Sequence, residues 1–157
     1  MAEIRQGRWT AQIEGDFVVF LIGARLDKRH PLRSFNDLGG RRGMMHMLKW
    51  LTEHPEKGLL GFHAHGLTIV QYWRSFEHLE RFASDAADPH LEPWRAYWKR
   101  VGRSTRTGIW HETFLVRAGE YESIYGNMPP YGLGAATELV PLAEATGARG
   151  RIKRLAA

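Results

Sequence analysis

Residues 17–23 read Phe-Val-Val-Phe-Leu-Ile-Gly, an unbroken apolar run rich in β-branched side chains. Successive residues of a strand point to opposite faces of its sheet, so a strand with this sequence has no face to offer water. The sheet that contains it must be covered on both sides. A chain of 157 residues is one ordinary domain, large enough to cover one face with its own helices. What covers the other face becomes the central question. The chain has no cysteine. That excludes a disulfide scaffold, a thiolate zinc site, an iron–sulfur cluster and a cysteine nucleophile together.

The rest of the pattern gives four extended and two helical segments. The first strand spans 16–23. A loop with His30-Pro31 and Gly39-Gly40 follows over 27–42. A helix is predicted over 43–53, where Met44, Met47, Leu48 and Leu51 recur at helical spacing and Pro55 and Gly58 close it. Leu59–His65 and Thr68–Trp73 read as a hairpin turning at Gly66-Leu67. Ser75 is a candidate N-cap for the next helix, with Glu77 in its first turn, and Pro93 opens a second helical piece. Gly108–Val116 is the last strand. Residues 120–130 extend or wrap the sheet.

The order β-α-β-β-α-β is the ferredoxin-like, α+β arrangement, with helices on one face of an antiparallel sheet. Trp110, Phe114 and Val116 would share one side of the last strand, and Ile109 and Leu115 the other. The expected solution is two subunits packed sheet to sheet, a dimeric α+β barrel enclosing a cavity. The domain is expected over 1–135, followed by a basic, flexible tail over 136–157.

Charge bears on partners. The chain carries 22 basic and 17 acidic side chains. Arg149, Arg151, Lys153 and Arg154 account for four of the basic ones, leaving 18 against 17 elsewhere. The surplus reads as a tail property, and no helix-turn-helix, zinc finger or RNA-binding aromatic motif accompanies it, so nucleic acid is not the expected partner. No run approaches eighteen apolar residues, which argues against a membrane span, and the opening MAEIRQGRWT lacks the apolar core of a secretory signal. The expected location is cytoplasmic. Walker, GxGxxG, GxSxG and HExxH motifs are all missing from the sequence.

Three places can carry chemistry. His63-Ala64-His65 puts two imidazoles on one strand face, about 6.5–7 Å apart, a spacing that suits a shared ligand or a flanked substrate as well as a solvated edge. In Trp110-His111-Glu112, His111 faces away from Trp110 and Glu112 and is a candidate proton shuttle or axial ligand, or a satisfied core histidine. Tyr72, Trp73 and Arg74 end a strand: the aromatics can line a cavity, and Arg74 can fix an anion or pair with Glu77 or Glu80. Tyr125 and Asn127, in a rigid Tyr-Gly-Asn-Met-Pro-Pro stretch, can close a pocket.

The segments EGDFVVFLIGARL (14–26), GLLGF (58–62), TIVQYWRSFEHLERFA (68–83), WRAYWKRVG (94–102), GIWHETFLV (108–116) and YESIYGNMPPYGLG (121–134) resemble one family. It is a monooxygenase-like family once known only as a domain of unknown function, related to a fumagillin-pathway monooxygenase. The resemblance implies a dimeric α+β barrel, an architecture also used by antibiotic-biosynthesis monooxygenases and by haem proteins such as aldoxime dehydratases and chlorite dismutases. Tyr72, Trp73, Arg74, Trp110, His111, Glu112, Tyr125 and Asn127 carry over as candidates. Two features depart from the family pattern: the polar, Gly-rich stretch 27–43, where a longer apolar helix is expected, and His63-Ala64-His65, where aromatic and small residues are usual.

The leading expectation is a cofactor-free monooxygenase of secondary metabolism acting on an apolar or aromatic small molecule. His111, or His63 with His65, would be its base; Tyr72 or Asn127 would hold the substrate oxygen, and Trp73 and Trp110 would shape the pocket. The alternative is a haem b enzyme with His63, His65 or His111 as axial ligand. A third reading is a noncatalytic ligand-binding module whose basic tail touches an acidic partner.

Overall fold

The computed structural model describes residues 3–102, 104–142 and 147–156. In chain order the elements are β1 (Arg5–Gln12), β2 (Phe17–Arg25), α1 (Pro31–Asp37), α2 (Met44–Glu53), β3 (Leu59–His65), β4 (Thr68–Trp73), α3 (Phe76–Ser84), α4 (Leu91–Val101), β5 (Gly108–Val116), β6 (Tyr125–Met128), α5 (Leu133–Ala136), β7 (Glu138–Pro141) and α6 (Ala148–Ala156).

The apolar run 17–23 becomes β2, an inner strand of an antiparallel sheet ordered β3-β4-β2-β5. With α2 between β2 and β3, and α3 and α4 between β4 and β5, this is the ferredoxin-like topology expected of the sequence. The β3–β4 hairpin turns at Gly66, whose φ of +60° suits the first position of a two-residue turn that follows strand twist. Ser75 caps α3, its side chain accepting the His78 N–H at 3.4 Å. Leu79 and Phe82 form the buried stripe of that helix.

Both faces of β2 are used. Val18 and Phe20 pack with Met47, Leu48, Leu51, Trp73, Leu79 and Phe82 in the helix-side core. Phe17 and Val19 belong to a second cluster with Ala11, Leu133, Tyr72, Tyr121 and Tyr125. That cluster corrects the sequence reading in one respect. Part of the second face is covered by the chain itself, through a small sheet ordered β6-β1-β7. Strand β1 is polar enough to escape pattern recognition, with Ala11 and Thr10 its buried residues. Strand β7 pairs with β1 from Trp9↔Pro141 to Gln12↔Glu138, and Leu139 and Leu142 are buried. Residues 138–142, which the sequence boundary at 135 assigns to the tail, therefore pack with the domain. Arg151 of α6 also reaches back, its Nε lying 2.7 Å from Glu122 Oε2. Residues 143–146 of the expected tail lie outside the described residues.

The stretch 27–42 is not an uninterrupted loop. Pro31 starts α1, and a single 3₁₀ turn follows over Gly40–Arg42. The remaining area of the second sheet face carries Trp110 and Phe114, both well exposed. Trp110 lies flat against Gly23, where a Cβ would come within 2.4 Å of its Nε1. Only glycine admits that ring.

Candidate functional site

Strand alternation distributes the candidate side chains over two cavities on opposite sides of one sheet. The larger, about 610 Å³, lies between the sheet and the helices. Phe20 and Ile22 of β2, Gln71 and Trp73 of β4, and His111 and Thr113 of β5 form its sheet side. Met44, Leu48 and Leu51 of α2, Leu79 and Phe82 of α3, and Leu91, Trp94 and Arg95 of α4 form its helix side. His90, just before α4, joins them. The volume is that of a small-molecule site, and the lining is apolar with a few polar groups, the usual composition of such sites.

Two imidazoles address this cavity. His111 pairs with Ile22 across the β2–β5 ladder, and its ring centroid is 5.4 Å from that of Phe20. The Nδ1 atom of His90 is 3.1 Å from the Ala83 carbonyl oxygen. A carbonyl only accepts, so His90 carries a proton on Nδ1, and in the neutral ring the lone pair is then on Nε2. Burial lowers the His90 pKa, opposed by that same carbonyl. Phe82 and Trp94 flank it, at centroid distances of 5.6 and 6.2 Å. The floor is set by Trp73, whose Nε1–H donates to Gln71 Oε1 at 2.9 Å.

The smaller cavity, about 410 Å³, lies on the opposite face under residues 120–133. His63, Tyr72, Tyr121, Tyr125 and Tyr131 line it with Phe17, Val19, Val116 and Leu133. Among the described residues, His63 Nδ1 is buried there without a hydrogen-bond partner, under the Tyr131 ring at 4.7 Å. Burial first, and His65 second, lower its pKa. Burial also raises that of the Tyr72 phenol. Tyr125 Oη accepts the Gly134 N–H at 2.9 Å.

His63, Tyr72 and Tyr125 thus converge on the smaller cavity, and His111 and Trp73 line the larger one. Adjacent residues of one strand cannot share a face, so Tyr72 and Trp73 serve different sites. Trp110, Glu112 and His65 are exposed and line neither cavity. Arg74 donates from Nη1 to the Glu14 carbonyl at 3.2 Å, in place of the expected pairing with Glu77 or Glu80. Asn127, inside β6, accepts the Gly7 N–H on its Oδ1 at 2.9 Å, and its φ of +50° falls where the register of the β1–β6 ladder shifts. Sequence reasoning missed His90, Gln71 and Arg95. His90 reaches the cavity from an inter-helix loop, where no periodicity marks it. Strand parity with Trp73 was the available signal for Gln71.

Among the described residues no three His, Asp or Glu side chains cluster as ligands of a metal ion. Haem makes a different demand: one imidazole with a free nitrogen, its other nitrogen anchored, beside an apolar slot. His90 and the larger cavity meet it, and Arg95 adds a cation for a carboxylate. His63 and His65, expected as ligands, lie across the sheet from that cavity.

The sequence pattern of the monooxygenase af470-like family matches residues 17–133. The chain belongs to that family. The match contains every residue lining either cavity. Monooxygenase af470 of Aspergillus fumigatus is 30% identical over 165 aligned positions, which cover 85% of this chain and 55% of the fungal protein. The chain therefore spans about half the length of that curated relative. An aldoxime dehydratase crystallised with butyraldoxime superposes with a TM-score of 0.59 at 16% identity, covering 98% of this chain and 43% of the dehydratase. That similarity establishes the shared α+β barrel fold.

Proposed function

We propose that this chain is an oxygenase acting on an apolar, aromatic small molecule of secondary metabolism, held in the cavity between sheet and helices. The observation that carries the reading is an apolar cavity of about 610 Å³ with His111 in its wall, in a monooxygenase-like family. His111 is the base. It removes a proton from a methylene activated by an adjacent carbonyl and aromatic ring. The carbanion adds dioxygen to give a hydroperoxide, and loss of water leaves a carbonyl. In total the CH₂ group and O₂ become C=O and H₂O, so the substrate supplies all the electrons. His111 is exposed at the mouth of this cavity, and Gln71 and Arg95 offer donors to the substrate oxygen. The open sheet face with Trp110 and Phe114 is the surface through which a second subunit closes the barrel.

The test is oxygen uptake by the colourless protein with a panel of aromatic ketones bearing such a methylene. His111→Ala should lower the rate by roughly 10²- to 10⁴-fold. An unchanged rate refutes His111 as the base.

The carbonyl-anchored His90 favours a second reading, in which haem b occupies the same cavity. His90 would hold the iron through Nε2, Arg95 would meet a propionate, and His111 would move protons within the same cavity. Haem would supply redox-active iron for oxygen or peroxide chemistry. Absorption spectra with and without added haemin decide between the two readings. A Soret band that survives gel filtration and is lost in His90→Ala supports haem. A colourless protein that takes up no haemin leaves the cofactor-free oxygenase.

A further inference from the structure

Helix α1 is built with its polarity reversed. Ser34 and Asp37, one turn apart, are 0% and 6% exposed, whereas Leu32 and Phe35, on the opposite side, are 81% and 50% exposed. A surface helix ordinarily anchors itself through apolar residues and turns polar ones outward. Here the anchor is polar. Ser34 Oγ accepts the Asp27 N–H at 3.2 Å, Asp37 Oδ2 accepts from Arg106 Nε at 2.6 Å, and Arg100 Nη2 donates to the Asp37 carbonyl at 2.9 Å. The helix is thus held firmly while its leucine and phenylalanine face outward.

The surroundings of that pair are cationic. Residues 28–42 contain Lys28, Arg29, Arg33, Arg41 and Arg42, and all five are exposed. The one acid in the segment is Asp37, buried and ion-paired. The near-neutral total of the chain outside its C-terminal segment conceals this local surplus of four. Phe35 sits beside the turn bearing Arg41 and Arg42, since its Cε1 is 3.6 Å from the place a Cβ would take on Gly40.

We propose that this face is a peripheral docking surface for an anionic lipid bilayer, with Leu32 and Phe35 entering the interface and the five cations meeting headgroups. Two exposed apolar side chains are too little area for a stable protein interface, which buries about 800 Å² per partner. A second copy meeting this face across a two-fold axis would set like charges against each other. A bilayer bearing anionic lipids requires neither a large contact nor a matching shape, and it complements the charge. No described helix is long and apolar enough to cross a membrane, so the contact is superficial. The sequence argument against a membrane span concerns crossing segments and does not bear on a surface contact.

The test is co-sedimentation of the full chain with vesicles of phosphatidylcholine alone and of phosphatidylcholine mixed with phosphatidylserine. Binding to the mixed vesicles, released by high salt, is expected. Arg33→Gln/Arg41→Gln/Arg42→Gln should weaken it by roughly 100-fold, at about fivefold per cation near an anionic surface. Leu32→Ser/Phe35→Ser should weaken it by roughly tenfold or more. Both sets of side chains are exposed, and either variant decides the matter if the other folds poorly. Failure of the wild type to sediment overturns the proposal. So does sedimentation of both variants like the wild type, which would place the contact elsewhere, for instance on basic α6. So does a wild type that ignores vesicles yet loses self-association in Leu32→Ser/Phe35→Ser.

Discussion

The floor of the larger cavity depends on one buried hydrogen bond, and its strength can be measured. Trp73 is fully buried, Gln71 is 3% exposed, and the indole N–H donates to the amide oxygen at 2.9 Å. The other end of Gln71 meets Met44 Sδ at 3.8 Å, a weak acceptor. Trp73→Phe keeps much of the aromatic bulk but deletes the donor and strands Gln71 Oε1 away from water. Deleting the donor leaves a buried acceptor unsatisfied, which costs about 1–3 kcal/mol with the lost bond included. The expected destabilisation is about 2–3 kcal/mol, the void left by the smaller ring included. For a domain of this size that lowers the thermal midpoint by about 4–12 °C. Adding Gln71→Leu removes the stranded acceptor, so the double variant should be about 1 kcal/mol more stable than Trp73→Phe alone. Guanidinium unfolding of the four proteins in the cycle gives the coupling directly. If the two substitutions add to within about 0.5 kcal/mol, the pair does not act as one unit and the floor is held by packing alone.

Two other consequences are open to measurement. The Arg106 side-chain hydrogen bond, with the charges of Arg106, Arg33 and Arg100, holds the Asp37 carboxyl below the usual carboxylate range against the effect of burial. A depressed folded pKa gives stability that is complete above the unfolded value of about 3.9 and is lost as pH falls through the lower folded value. Asp37→Asn should therefore flatten the acid limb of the midpoint-against-pH curve, and parallel limbs in the two proteins would show that the pair is energetically silent. Gly132→Ala combines a φ of +57° with a Cβ 3.2 Å from Tyr72 Oη, so it should cost about 1–2 kcal/mol in denaturant unfolding. An unchanged midpoint would mean that the segment over the smaller cavity relaxes freely.

Much of the core sheet is legible in the sequence because its strands carry strong, short-range signals. The run at 17–23, the Gly66 turn and the Ser75 cap each specify local geometry, and their order implies the ferredoxin-like topology. Strand β1 escaped because Arg-Gln-Gly-Arg-Trp-Thr-Ala-Gln buries only Thr10 and Ala11, and its partners β6 and β7 lie more than a hundred residues away. Helix α1 escaped because it reverses the polarity on which periodicity depends.

For the site, alternation alone established that His63 and His65 share one face and that His111 opposes Trp110 and Glu112. It did not establish which helices close over which face, because that depends on contacts between residues far apart in the chain. Tertiary packing places His111 in a cavity with His90, and His63 with Tyr72 in another, divided by a single sheet. The sequence by itself determined the four strands of the larger sheet, the two-faced apolar character of β2, and the family. Only the tertiary structure decided which of the histidines share a cavity, since a loop residue such as His90 is brought there by the turn between α3 and α4 and not by any local pattern.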